Sequence, residues 1–560
     1  MKKLVLLFII GLLAVSASAQ VLIDGLKYNL NRENHTAEIA EENTVSGDLV
    51  IPETVVYEGN SYVITSIGLM AFRGSEELQT VVIPNSITQI KKDAFCNCSK
   101  LASVHLSDNL ISIGQYAFYG CRSLTSIEFP ASLNTIETAA FSGCGLTSVF
   151  IPKSVTRISA KGEGAMIVQA STSPFINCKN LSSIIVEEGN PIYDSRDGCN
   201  AIIETSTNTL FCGCNNSTIP NSVTAIWITA FFNCGFTSMI IPDGVTSIGI
   251  EAFEGCENLT EITIPNSVTS LGERAFWNCT ALTTVKLSEN VKKIESSTFN
   301  NCSNLTSISL PDGLTTIRQE AFAYCSSLSS ISLPNNLTDI SPVAFYGCSN
   351  LTSIEIGTGL SSITGFYNTG LKSVEIPPNI VSIGEHAFRE CPNLTEVIFH
   401  EGLTSIGGYA FYGCDNYTDV ILPSTITNIG MYSFTGNKDK TVTCYAATVP
   451  TVNYYGENIR LANPFLNRAT NKTFATTLTV PDVALQEYAR TYPWNEFGTI
   501  MSFSGEIAEP DLSGIKTTES SGDAYEIARY SVDGRFLEHP QKGINIIRFS
   551  DGTIKKVMEQ

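Results

Sequence analysis

The sequence is 560 residues long and carries 34 basic and 54 acidic side chains, a formal net charge of -20 at pH 7. This length exceeds one ordinary globular core, but a repeat protein escapes that limit because it grows in one dimension. The excess of negative charge argues against DNA, RNA or anionic lipid as the main partner.

Residues 1–19 have the pattern of a secretory signal peptide. Lys2 and Lys3 precede an apolar run at 4–15, and Ala-Ser-Ala at 17–19 supplies a small-residue cleavage site. No later stretch approaches the roughly 18 apolar residues of a membrane span, so no transmembrane segment is predicted. We expect an exported protein, at the cell surface or extracellular, whose mature chain begins at Gln20.

Residues 20–62 are predicted to form an N-terminal β cap. Leu26–Asn31 and Thr36–Ala40 alternate like strands, and residues 48–66 add two more. This segment has strand chemistry without the repeat that follows it. The first coil of a solenoid needs such a cap.

One phenylalanine recurs from residue 63 to residue 440, at steps that are nearly always 21 to 23 residues. A period this regular predicts a solenoid, here of about fifteen coils. The repeated residues are Phe72, Phe95, Phe118, Phe141, Phe175, Phe231, Phe253, Phe276, Phe299, Phe322, Phe345, Phe366, Phe388, Phe411 and Phe434.

The stretch Asn258–Phe276 shows what one coil contains. Ile262 and Ile264 point to one side of a short strand, and Thr263 points to the other. Pro265 ends the strand because it has no N–H to donate. A single coil cannot bury its own apolar face, so the copies must stack. The predicted fold is a β-rich solenoid.

Two insertions interrupt the period. The excess before Phe175 falls at about 159–173, which is predicted to be a protruding loop. The excess before Phe231 falls at about 190–220, where Ala201–Glu204 and Thr209–Cys212 flank a polar turn. That pattern predicts a hairpin inserted in a degenerate coil.

Twelve of the seventeen cysteines stand three residues after the repeated Phe. They are Cys98, Cys121, Cys144, Cys178, Cys234, Cys256, Cys279, Cys302, Cys325, Cys348, Cys391 and Cys414. An exported chain invites a disulfide interpretation. Equivalent stacked neighbours offer no unique pairing, however, so a reduced, buried structural ladder is predicted.

No metal and no cofactor are predicted. The pairs Cys96/Cys98 and Cys212/Cys214 lack the spacing and the matching second pair of a zinc site. Cys199, Cys212, Cys214 and Cys444 lie outside the ladder, so the prediction of reduced thiols does not extend to them.

Beyond the repeats, residues 441–504 are predicted to form a C-terminal cap, with strands at Thr441–Tyr445 and Thr477–Val480 and a short helix at Val483–Thr491. Residues 505–523 are polar and nearly free of aromatic residues, which is typical of a linker. Residues 524–560 again alternate like strands and are predicted to form a small β module.

The outward strand positions are the candidate binding surface. The first outward site is mostly serine and the second varies between coils, with apolar residues at Phe150, Ile185, Ile240, Ile398 and Ile421. Variation on a constant scaffold is what a recognition surface requires, although β-propensity alone also places isoleucine in strands. A further alternative is that the inserted hairpin covers the first three, which would make them core.

Enzymatic activity is not predicted. The five histidines lie in unrelated places, and neither a zinc-protease motif, a nucleophile elbow nor a phosphate-binding loop is found. A hydrolase whose site uses the inserted hairpin is kept as the enzyme alternative.

The repeats resemble the BspA-like leucine-rich repeat family. The matching pattern includes Leu124–Pro130 and Leu394–Phe399 and covers about residues 63–434. The resemblance implies a bacterial leucine-rich-repeat solenoid, secreted or at the cell surface, that binds a protein or cell-surface ligand such as a host matrix protein. It carries over no binding residue. The structural alternative is a passive surface protein without a specific ligand.

The last segment, with Tyr530–Arg535, Lys542–Arg548 and Asp551–Val557, resembles the C-terminal sorting domains of the type IX secretion pathway. The resemblance implies that this tail directs the protein to the cell surface.

Overall fold

The computed structural model describes residues 20–159, 172–453, 463–508, 526–531, 537, 539–549 and 554–559. Three predicted segments therefore lie wholly or mainly outside the described residues: the signal peptide at 1–19, the loop at 159–173 and the linker at 505–523. The chain divides into two compact units, Met1–Gly359 and Leu360–Gln560.

The first unit begins with a short β meander. Strands Gln20–Ile23, Leu26–Asn31 and Thr36–Ile39 pair antiparallel in sequence order. Strand Asn60–Ile67 pairs antiparallel with Thr54–Tyr57 and parallel with Thr36–Ile39. This parallel pairing starts a ladder that the repeats then extend.

The coils of the first unit contribute strands to two parallel ladders. The first ladder contains Gly47–Val50, Leu78–Val82, Ser103–His105, Ser148–Ile151, Ser183–Val186, Ser238–Ile240, Glu261–Thr263, Thr284–Lys286, Ser307–Ser309, Ser330–Ser332 and Ser353–Glu355. The second ladder contains Gln89–Ile90, Ser112–Ile113, Thr135–Ile136, Arg157–Ile158, Ala225–Ile226, Ser247–Ile248, Ser270–Leu271, Lys293–Ile294, Thr316–Ile317 and Asp339–Ile340. Equivalent residues pair in register, as Ile262 does with Val285.

The insertion before Phe231 is built into this core. It contains the short strand Tyr193–Asp194, a 3-10 turn at Arg196–Gly198, and the antiparallel hairpin of Ile202–Glu204 with Thr209–Cys212. The strand Thr209–Cys212 also pairs parallel with the second ladder and is buried along its whole length. The hairpin is therefore a structural extension of the solenoid.

The repeated phenylalanines form a column through the core. The rings of Phe253, Phe276 and Phe299 are fully buried, with centroids 5.1 and 5.6 Å apart and planes within 6° of parallel. Stacked coils place equivalent residues about one strand spacing apart, roughly 4.8 Å, so each ring lies against the next. The column joins the coils through side-chain contact as well as through backbone hydrogen bonds.

Two residues after each phenylalanine the backbone is left-handed in many coils. Asn97, Gly120 and Gly143 have φ of 62°, 73° and 70°. Glycine has no Cβ to clash there, and asparagine tolerates this conformation better than most residues. This requirement explains why Gly and Asn recur at that position of the repeat.

The second unit, taken by itself, also contains two parallel ladders, named first and second by the same positions in the repeat. The first contains Ser373–Ile376, Glu396–Phe399, Asp419–Leu422, Thr441–Cys444, Thr477–Val480 and Thr499–Ser502. The second contains Ser362–Ile363, Ser382–Ile383, Ser405–Ile406, Asn428–Gly430 and Thr451–Asn453.

The remaining elements of the second unit are short. They are the antiparallel pair Leu466–Asn467 and Lys472–Thr473, 3-10 turns at Asp482–Ala484 and Trp494–Glu496, the α-helix Leu485–Tyr488, and a three-stranded antiparallel sheet of Glu526–Ser531, Gly543–Phe549 and Ile554–Glu559. No helix in the described part of the chain has the length and hydropathy of a membrane span.

The predicted solenoid fold is confirmed, but the structure has about 19 turns instead of about fifteen. The additional turns do not repeat the phenylalanine at steps of 21 to 23 residues, which is the spacing that predicts fifteen coils. Thr441–Cys444, Thr477–Val480 and Thr499–Ser502 continue the parallel ladder past Phe434. Phe465 extends the ring column, stacked 5.9 Å from Phe434. Residues 454–462 separate it from the regular period, which hid it in the sequence.

Candidate interaction surface

The first ladder has a dry face and a solvent face. Along Ser148–Ile151 exposed residues alternate with buried ones, so Ser148 and Phe150 point outward while Val149 and Ile151 enter the core. The same alternation holds in Glu261–Thr263 and Ser307–Ser309. Strand geometry fixes this outcome, because successive side chains point to opposite faces.

The five apolar candidates all lie on the solvent face. The exposed fractions are 52% for Phe150, 49% for Ile185, 84% for Ile240, 43% for Ile398 and 54% for Ile421. The inserted hairpin leaves the first three of these side chains accessible.

Of the first three candidates, the structure brings only two directly together. Phe150 and Ile185 are register partners on adjacent strands, so their side chains lie side by side. Ile240 is on a separate sheet, paired with Thr263. The intervening coil around Ile219 contributes no strand to the first ladder, and Ile219 itself is buried. The predicted apolar row is thus a contiguous pair followed by a separate isoleucine.

In the second unit the candidates have polar partners. Ile398 is the register partner of Glu375, and Ile421 is the register partner of Thr443. His400 Nε2 lies 2.9 Å from a carboxylate oxygen of Glu375. Their strands, Glu396–Phe399 and Asp419–Leu422, come from successive coils and contact each other, so a ligand here would meet two isoleucines beside a polar pair.

The cysteine ladder is buried, and all seventeen cysteines carry free thiols. The sequence did not suggest that the thiols act as donors. In eleven of the twelve ladder positions the thiol lies within hydrogen-bond distance of the carbonyl oxygen of the phenylalanine one coil earlier. Cys279, for example, donates to Phe253 at 3.2 Å. Burial raises the pKa of Cys348 to about 12, so the thiol keeps its proton.

The described residues contain no cluster of His, Cys, Asp or Glu side chains that could hold a metal ion. The buried strands of the inserted hairpin likewise direct no side chain of Thr209–Cys212 to solvent. The exposed strand face presents hydroxyl, carboxylate and apolar groups, and also the imidazole of His105 and the ammonium group of Lys286.

Comparison with known protein families gives matches within the repeat region of the chain. Residues 59–162, 204–327, 292–365 and 364–459 match the model described as BspA type leucine rich repeat region, in six copies. The comparison with curated proteins finds no match.

Several solved structures are similar to this chain. A leucine-rich repeat protein from Bacteroides ovatus is 28% identical over 72% of this chain and 95% of its own, with a TM-score of 0.40. One from Eubacterium ventriosum is 23% identical over 70% and 94%, with a TM-score of 0.46. A leucine rich cell surface protein from Faecalibacterium prausnitzii is 23% identical over 68% and 94%, with a TM-score of 0.39. Because the ranges that match the family model span more than half of the sequence, the chain belongs to the BspA-type leucine-rich repeat family.

Proposed function

We propose that this protein is an exported adhesion or recognition protein that binds a protein ligand through the solvent face of its first ladder. The observation that carries the proposal is the pair Phe150 and Ile185, side by side and each about half exposed on a face that is otherwise rich in serine. Contiguous exposed apolar area on a soluble scaffold commonly marks an interaction site.

The serine-rich remainder of the face supports the same function. Small hydroxyl side chains keep a long surface hydrated and offer donors and acceptors without crowding a large ligand. Apolar residues at a few positions can then supply most of the affinity, as hot spots do in protein interfaces. Membership of a family defined by such repeats is consistent with protein binding.

Export is part of the proposal. The leader pattern at residues 1–19 precedes the strand Gln20–Ile23, so cleavage after residue 19 leaves every described strand intact. The small sheet that contains Gly543–Phe549 is proposed to act as a sorting tail.

The test begins with a search for the ligand. The mature chain, immobilised, is exposed to extracellular-matrix proteins and to bacterial surface proteins, and each retained protein is purified for affinity measurement. The triple variant Phe150→Ser, Ile185→Ser, Ile240→Ser should weaken binding by at least about tenfold, a loss of roughly 1.4 kcal/mol. Its melting temperature should change little, because exposed substitutions seldom cost much stability.

A matched control separates the sheet face from general hydrophobicity. Ile111 is 48% exposed, nearly the same as Ile185 at 49%, but lies outside the first ladder. Ile111→Ser should leave affinity unchanged while Ile185→Ser lowers it. Equal affinities for the wild type and the triple variant would remove this patch from the interface. A chain that retains no ligand at all would favour a passive structural role.

A further inference from the structure

A cavity of about 900 Å³ lies in the first unit, away from the outward strand residues of the first ladder. It is lined by side chains from the turns that flank the repeated phenylalanines, among them Tyr116, Tyr119, Phe232, Glu251 and Glu254. These turn positions carry no repeat consensus, so each coil can present a different group. The cavity is therefore chemically distinct from the serine-rich strand face.

Glu254 is the unusual group in this cavity. Its side chain is almost fully buried, at 6% exposure, and its Oε2 has no hydrogen-bond partner among the described residues. A buried carboxylate without a partner is costly, so such a group invites a ligand that supplies the missing donor.

The surroundings define what kind of donor would fit. Glu251 lies in the same turn, and Asp93 also lines the cavity, so three carboxyl groups face two guanidinium groups, those of Arg73 and Arg274. Arg274 already pairs with Glu251, at 3.5 Å. When Glu254 is ionised, one negative charge remains in excess in this cavity, which favours a cationic ligand.

The aromatic rings point to the same class of ligand. Tyr116 and Tyr119 meet edge to face with centroids 5.9 Å apart, and Phe232 lines the cavity beside the acidic turn. Aromatic faces attract ammonium and guanidinium groups, and the aliphatic stem of a lysine packs well against apolar surface. The net charge of -20 would also draw basic segments toward the protein.

We propose that this cavity binds a basic segment of a protein partner, with a lysine or arginine side chain held by Glu254 and Glu251. The inference rests on the proposed function only in that the partner is a protein. It assigns that partner a second contact, lined by turn residues and separate from the strand face.

The carboxyl group of Glu254 should couple this binding to pH. Burial first, and the charge of Glu251 second, raise its pKa to about 8, and Arg274 partly offsets the shift. Glu254 in turn adds to the raised pKa of the Cys279 thiol in the next coil, a shift caused mainly by burial. Because a cation requires the ionised carboxylate, affinity should rise with pH through this raised pKa, from about 7 to about 9.

The experiment uses the full mature chain and a fluorescent, end-capped hexapeptide of alternating lysine and glycine. Fluorescence anisotropy at roughly 0.15 M salt, where long-range attraction is screened, should show saturable binding. Glu254→Gln should weaken it by about tenfold or more and remove its pH dependence. Glu251→Gln gives a second variant of the same acidic turn, and melting curves establish that both are folded.

Two controls keep the outcome interpretable. Glu355→Gln removes the same charge from an exposed position of the strand face and should change affinity less than about twofold. The triple serine variant of the strand face should bind the peptide normally, so the failure of either proposal leaves the other standing.

Three results would overturn the cavity proposal. The first is equal loss in Glu254→Gln and Glu355→Gln, which would reduce the binding to general charge attraction. The second is unchanged binding in Glu254→Gln. The third is full displacement of the peptide by a neutral oligosaccharide such as maltohexaose, which would assign the cavity to sugars.

Discussion

At eleven of the twelve positions the ladder cysteine combines two roles in one small side chain. It fills core space beside the phenylalanine column, and its thiol donates to a phenylalanine carbonyl one coil earlier, as Cys302 does to Phe276 at 3.2 Å. A thiol is a weak donor that costs little to bury, so it suits a carbonyl oxygen that needs a partner in an apolar core. Serine could donate there, but its hydroxyl is more costly to desolvate.

A thiol titration tests this assignment. Denatured protein without added reductant should yield close to seventeen titratable thiols per molecule, whereas native protein should yield almost none because all are buried. The two samples are matched, because denaturation without reductant exposes the thiols to the reagent but does not change their redox state. A yield near five, the number outside the twelve-membered ladder, would show that the ladder is oxidised.

Individual positions differ in how far the sequence predicted them. The outward placement of Phe150 followed from strand alternation, and the structure places it on the solvent face. Glu254 could not be singled out, because its burial depends on turns from neighbouring coils that share no sequence pattern with it. The interruption between Ile185 and Ile240 was also hidden, because a shortened coil keeps its cysteine and proline while losing its strand.

At the scale of the coil, the phenylalanine column is the element that holds neighbouring turns together. Replacing Phe276 by alanine removes a fully buried ring that lies 5.1 Å from Phe253 and 5.6 Å from Phe299. We expect Phe276→Ala to lower the free energy of unfolding by about 3 to 5 kcal/mol, as other large-to-small core changes do. The damage should be local, because each coil contacts only its neighbours.

Hydrogen exchange measures both parts of this expectation. Amides in the coils from Phe253 to Phe299 should exchange faster in Phe276→Ala, and amides near Phe95 should not. Trp277→Ala is the matched control, because Trp277 is an aromatic side chain in the same turn that is only partly buried and packs against Arg274, outside the column. Faster exchange throughout the first unit would contradict the local picture.

At the scale of the whole chain, the fold was predictable because one signal repeats. The spacing of the phenylalanines, the alternation of apolar residues and the positions of the prolines agree in coil after coil. A coil with an unclear pattern can therefore be assigned from its neighbours. The ends lack that redundancy. The turns at Thr477–Val480 and Thr499–Ser502 build the same ladder with different side chains, and pairing to an existing edge, not a local motif, determines their conformation.

Stability in such a molecule should be a sum of coil terms and nearest-neighbour terms, and a double-mutant cycle can test this. Phe299 and Phe322 are adjacent in the column, 5.5 Å apart, whereas Phe95 stacks on Phe72 and Phe118, far along the ladder from Phe322.

Alanine substitutions at 299 and 322 should be non-additive by at least about 0.5 kcal/mol, because the second truncation removes a contact that the first has already lost. Substitutions at 95 and 322 should add to within about 0.5 kcal/mol. Denaturant unfolding of the wild type, the three single variants and the two double variants gives both coupling energies, and hydrogen exchange in each coil shows where the loss falls. Coupling of equal size in both pairs would mean that the first unit unfolds as one cooperative body, so that stability is not transmitted only from coil to coil.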